Sequence, residues 1–267
     1  MRMSPGARTV PDHAARFLRD SGLVEWDQGA FARAHVAPEW CQVLHVVAEL
    51  EADTAITAQH AHTLGIDRAA DIAAFLPVWA DEEAEHARAI AILLRHQAYE
   101  PPVAAPAAIA RHRRFVARLP RSLFGHLRPT GLVYCTLGAA AEYVTVVVYR
   151  ELTTHVDDVA VARLLRDIER QERRHCAFFL TGARLRAREL SNVEARLTRQ
   201  LLRTMWEPPG VPSLGLPVWR DAFAPFLDDP ALRSRVQEMD RIVDTIPHLG
   251  GMHLMERFLT EAVPLAA

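Results

Sequence analysis

Apolar residues recur along this chain at helical spacing, and nowhere do they alternate long enough for a strand. From Pro38 to Leu64 the apolar positions Val43, Val46, Val47, Leu50 and Ile56 follow a period near 3.6, which predicts one long helix closed by Gly65. Asp67 or Asp71 is placed to cap a second helix that continues to about Gln97, with Pro77 inside it as a kink or as the sign of a late start. Residues 98–128 break the period, first as a Pro/Ala-rich stretch and then as a basic one, and read as a long crossover. A third helix is predicted from about Pro129 to Thr154. Asp157 or Asp158 then caps a fourth that reaches about Asn192. A short amphipathic helix is expected at Asp12–Ser21, with irregular chain over 22–37. Pro208–Pro217 reads as a loop, followed by helices near 218–227, 230–246 and 251–262. The expected fold class is therefore all-α. A single domain would span 1–267, with a core bundle of four long helices at about 38–192, arranged as two hairpins joined by the long crossover, and a helical extension at 193–267.

Bulk properties narrow the function classes. The chain has 267 residues, a formal net charge of -2 and 50% hydrophobic residues, enough for a sizeable core. All 31 basic residues are Arg, yet the near-neutral balance points to neither nucleic acid nor an anionic membrane as a global partner. The three cysteines, Cys41, Cys135 and Cys176, are far apart and form no CxxC pair. They suggest a reducing, cytoplasmic setting. The N-terminal stretch lacks the apolar core of a signal peptide, and no unbroken run of 18 or more apolar residues exists, so no membrane span is expected.

The chemistry-bearing residues sit on the four long helices. Two Glu-x-x-His motifs, Glu83–His86 and Glu172–His175, fall on the second helix of each predicted hairpin. At i and i+3 a carboxylate and an imidazole lie on one helical face, one turn apart, and both can reach one side of a metal centre. Each first helix offers a further acid. Glu142 lies in the apolar run GAAAEYVTVVVY, where an unpaired charge would be costly to bury. In the first helix the choice lies between Glu49 and Glu51. Glu51 is nearer the apolar face, and Glu51-Ala-Asp-Thr54 parallels Glu142-Tyr-Val-Thr145. From Glu51 to Glu83 is 32 residues and from Glu142 to Glu172 is 30, so the hairpins read as a repeat of Glu followed by Glu-x-x-His. One Glu from each of two helices plus Glu-x-x-His from each of two others is the ligand set of ferritin-like di-metal carboxylate bundles. Hard oxygens with two imidazoles suit two iron ions, with manganese as the other candidate, rather than a structural zinc. The spacing leaves open which acids would bridge the two ions.

At these residues the chain resembles the soluble acyl-carrier-protein desaturases, a branch of the ferritin-like superfamily. Trp79-Ala-Asp-Glu-Glu83-Ala-Glu-His86 looks like their Trp-Thr-Ala-Glu-Glu-Asn-Arg-His motif, and Glu172-Arg-Arg-His175 looks like their Asp-Glu-Lys-Arg-His motif. Glu142-x-x-Thr145 is similar to a Glu-x-x-Thr whose Thr lies beside the metals near the oxygen site, which implies a catalytic role for Thr145. The resemblance covers about residues 40–185. Ala87 replaces their usual Gly, and Gln171 stands where they have Asp behind a ligating His, while Glu82 keeps the equivalent place in the first motif. The resemblance implies oxygen chemistry at a diiron centre, with electrons from an external donor such as a ferredoxin, since no flavin or dinucleotide fingerprint is present.

Three functions compete. The first is an acyl-chain desaturase or related oxidase, in which Arg111, Arg113, Arg114, Arg118, Arg121 and Arg128 of the crossover would dock an acidic acyl carrier protein. The second is a diiron N-oxygenase or hydroxylase acting on a small molecule in specialised metabolism. Ile168, where one N-oxygenase pattern has an extra His, speaks against that subtype. The third is an iron-binding or storage bundle without turnover. Trp79 and Phe179, a turn from ligands, are candidates for the substrate cavity, and a homodimer is compatible with all three. Tyr134, Tyr143 and Tyr149 read as packing by default, and His45 as a partly buried polar contact.

Overall fold

The computed structural model describes residues 11–100 and 128–262, and among these every regular element is helical. The elements are α1 (Asp12–Arg19), α2 (Gln28–Phe31), α3 (Pro38–Ala52), α4 (Thr54–Thr63), a 3-10 turn (Ile66–Arg68), α5 (Ala70–His96), α6 (Arg128–Thr154), α7 (Val159–Ala187), α8 (Asn192–Met205), α9 (Val211–Leu214), α10 (Leu216–Ala222), α11 (Ala224–Asp228), α12 (Pro230–Asp244) and α13 (Leu254–Ala262). The predicted crossover, with Arg111, Arg113, Arg114, Arg118 and Arg121, lies outside the described residues. Arg128 is exposed and donates to the carbonyl of Glu189.

α3 packs on α5, and α6 packs along α7. α1 and α2 lie across α5 and α7, while α8 and α12 cover α6. That cover explains the apolarity of α6. By length and composition it is a helix that could cross a membrane, but 67% of its most apolar stretch is buried inside the protein. An isolated antiparallel bridge between Val36 and Val156 pins the entry to α3 against the α6–α7 connection.

Several boundaries differ from expectation. The first long helix is two, α3 and α4, interrupted at Asp53, whose N–H turns back to the carbonyls of Glu49 and Leu50. The break follows the buried Glu51 by two residues, and it leaves Leu50 and Ile56 on a cavity wall rather than in the core. Gly65, at φ 68°, closes α4 in the left-handed conformation that favours glycine. α5 neither starts late nor stops at Pro77, because tertiary packing of Ile72, Phe75, Leu76 and Trp79 holds the turn around it. Neither Asp67 nor Asp71 caps α5. Asp67 pairs with His62, and Asp71 receives two hydrogen bonds from Arg186 of α7. Asp158 does cap α7, accepting from the N–H groups of Ala160 and Val161. α7 stops at Ala187 because Ser191 and Glu194 start α8 with a reciprocal capping box, a Ser-x-x-Glu signature that the sequence carries openly. In the C-terminal region the expected loop contains α9, and the helix expected near 218–227 is split into α10 and α11.

Candidate metal centre

Six side chains meet in the dry interior between α3, α5, α6 and α7. Glu51 is 4% exposed, Glu83 1%, Glu142 5%, and His86, Glu172 and His175 are fully buried. Glu49 is exposed and takes no part, so Glu51 is the acid that α3 contributes. The six fall into two overlapping groups whose ligand atoms lie within 4.8 Å of one another: Glu51, Glu83, His86 and Glu172; and Glu83, Glu142, Glu172 and His175. Glu83 and Glu172 belong to both, which makes them the shared acids. Glu51 with His86, and Glu142 with His175, are the outer pairs.

Both imidazoles aim Nδ1 at the acids. His86 Nδ1 lies 3.1 Å from Glu172 Oε1 and 3.3 Å from Glu83 Oε2, and His175 Nδ1 lies 3.0 Å from Glu83 Oε1. Both Nε2 atoms point the other way, toward partners that hold them. His175 Nε2 is 2.8 Å from Glu82 Oε2, and His86 Nε2 is 2.6 Å from Gln171 Oε1. Glu82 and Gln171 thus sit behind the cluster, where the sequence expected orienting groups. Thr145 Oγ1 lies 2.8 Å from Glu172 Oε2 and 2.8 Å from the Glu142 carbonyl, at the cluster's edge.

Burial and the close approach of the acids set the electrostatics of the cluster. Burial pushes the carboxyls of Glu51 and Glu142 well up, and the neighbouring acids add to it. Burial opposes charge on His86 and His175 too, but the carboxylates set close around them raise both well above the ordinary imidazole value. Glu83 and Glu172 are held low by their partners against burial and mutual repulsion. Glu83 Oε2, His86 Nδ1, Glu172 Oε1 and His175 Nδ1 are buried with no hydrogen-bond partner. Native interiors rarely orphan such atoms. Four orphaned positions facing one another, set among carboxylates and imidazoles, fit a bound cation.

A cavity of about 340 Å³ opens beside the cluster and reaches Glu51, Glu83, Glu142 and Thr145. Trp79 and Phe179 line it, with Leu137 and Gly138 of α6. Gly138 has a steric reason to be glycine, since a Cβ there would come within 2.7 Å of the Phe179 ring. Phe178 turns away and stacks on Phe75 at 3.8 Å. Cys176, next to His175 in sequence, is buried against the Ala139 carbonyl.

Two contributions escaped sequence reasoning. Tyr149 is fully buried, and its hydroxyl donates to Glu51 Oε1 at 2.7 Å. It lies four residues after Thr145 and seven after Glu142, on their helical face, and that spacing was the available signal. The cavity's far wall comes from Met205, Trp206 and Gly210 in the C-terminal region, which no local pattern announces. His45 is half-buried with its ring 5.9 Å from that of Tyr99.

Fold and site together define an all-helical protein with a buried carboxylate–histidine cluster able to hold metal. Comparisons with protein-family models, with curated proteins and with solved structures find no match, so the functional reading rests on the site itself.

Proposed function

We propose that the chain is an O2-dependent non-haem diiron oxidoreductase on a ferritin-like bundle of two helical hairpins. The observation that carries this reading is the set of four buried, unpartnered ligand atoms at the meeting point of two Glu/Glu-x-x-His units. Glu51, Glu83, His86, Glu142, Glu172 and His175 would hold two iron ions, with Glu83 and Glu172 shared. Bound there, the metals would supply the oxygen and one-electron chemistry that side chains lack.

The chain's own groups have definable tasks. Glu82 and Gln171 hold the imidazole tautomers, with the proton on Nε2. Thr145 places a hydroxyl between Glu172 and the cavity, where it can hold or pass a proton. Trp79, Leu137 and Phe179 exclude water from the cluster's open side and seat an apolar substrate. Electrons would come from an external donor such as a ferredoxin.

The desaturase resemblance favours an acyl chain carried on an acyl carrier protein. The cavity, at the low end of the roughly 300–1,000 Å³ common for ligand pockets, favours a small molecule. An apolar cavity opening on the acids supports turnover over iron storage. The protein is to be loaded anaerobically with iron, its metal content measured, and its oxo-bridged charge-transfer band sought after O2. Two ions per chain are expected, with loss in Glu142→Ala and His175→Ala. Full metal content in both variants would sink the site assignment. Reduced protein with O2 is then offered acyl-carrier-bound chains and, separately, free amines. Product from one arm selects the substrate class, and product from neither favours storage.

A further inference from the structure

The two halves of the cluster are not backed alike. Behind His175 stands the carboxylate of Glu82, and behind His86 the carboxamide of Gln171. One residue of the N-terminal segment enforces the difference. The Gly22 N–H donates to Glu82 Oε1 at 2.9 Å, while the Gly22 carbonyl accepts from Gln171 Nε2 at 2.7 Å. A carboxylate has only acceptors and matches the N–H. Facing the carbonyl, a carboxylate would set oxygen against oxygen, whereas the carboxamide can donate. Having given an N–H to Gly22, Gln171 has Oε1 left for the His86 Nε2–H.

Both imidazoles are therefore locked with Nδ1 toward the cluster, but with different donor strength. A charged acceptor behind an imidazole raises its basicity as a ligand more than a neutral one does. Arg174 shares Glu82 and keeps it ionised. The outer acids differ in the same direction. Tyr149 donates to Glu51 and occupies one of its lone-pair sites, whereas among the described residues the Glu142 carboxylate receives no hydrogen bond from outside the cluster.

We propose that the Gly22 peptide, through Glu82 and Gln171, makes the two metal positions unequal. The Glu142/His175 position takes a divalent cation first and about 10- to 100-fold more tightly than the Glu51/His86 position. Glu82 and Gln171 are positioning residues here. This inference rests on the two-metal reading above.

The test is an anaerobic titration of the full-length, metal-free protein with Co(II), read by its visible bands and by equilibrium dialysis. Two separate steps are expected. His86→Ala should remove the weaker step and His175→Ala the tighter. Glu82→Gln should weaken the tighter step about 10- to 100-fold and bring the two constants together. Gln171→Leu should weaken only the other step, and it serves where Glu82→Gln fails to fold. A merely structural role would weaken both steps in parallel, and that result overturns the proposal. Two equal steps in the unaltered protein overturn it while leaving the metal centre intact. No Co(II) binding at all removes the metal centre as well.

Discussion

At the scale of residues, the cluster shows how position rather than type brings an acid into it. Glu49 and Glu51 are two residues apart, yet one is exposed and the other is 4% exposed beside His86. The cluster also predicts a pH dependence of metal binding. Glu51, Glu142, His86 and His175 all have raised pKa values, so protons compete with a metal for these groups. Raising the pH removes the competitor. Metal affinity should therefore climb as pH rises, and loading in weak buffer should release protons measurable with an indicator dye. An affinity that does not change with pH would mean that the groups do not bind the ion.

At the scale of elements, buried polar pairs join what the hydrophobic pattern leaves adjustable. Arg186 of α7 makes a two-bonded pair with Asp71 of α5, and His13 of α1 adds a third contact. Burial would raise the Asp71 carboxyl, but its hydrogen bonds from His13 and Arg186 hold it far below the ordinary range. Asp71→Asn leaves Arg186 half-partnered in a largely buried place, and should cost about 3 kcal/mol in urea unfolding at neutral pH. The sign of its pH dependence follows from the depressed pKa. The contribution is complete above the unfolded value of about 3.9 and fades as pH falls toward the folded one. The gap between variant and wild type should stay constant from about pH 7 to about pH 5 and close in more acid solution. The same elements show where sequence reading ran short. The break at Asp53 and the passage of α5 through Pro77 are decided by what packs against those helices, not by local propensity. The α8 start was legible in Ser191 and Glu194.

At the scale of the whole molecule, the cavity exists because distant segments meet. α3 and α4 part at Asp53, α6 supplies Leu137 and Gly138, and the chain from Met205 to Pro212 closes the far side. Leu137→Trp should fill part of the cavity, raising KM or abolishing turnover while metal content stays at the wild-type level. Metal loss in that variant would show the wall and the cluster to be one mechanical unit. Gly138→Ala should force Phe179 from its place and cost about 1–3 kcal/mol of stability. Gly138→Ala with Phe179→Leu should recover most of that cost.

The desaturase resemblance pointed to the orienting places of Glu82 and Gln171, and the sequence by itself determined the helical class, the two Glu-x-x-His motifs and Glu142. Those features depend on periodicity and i, i+3 spacing, which are local and survive without knowledge of the neighbours. Tertiary structure alone decided that Glu83 and Glu172 are shared, that Tyr149 reaches Glu51, that Gly22 stands between Glu82 and Gln171, and that a C-terminal wall encloses the cavity. Each of these joins residues tens to more than a hundred positions apart. Their meeting is set by how helices pack, a property that no single helix carries.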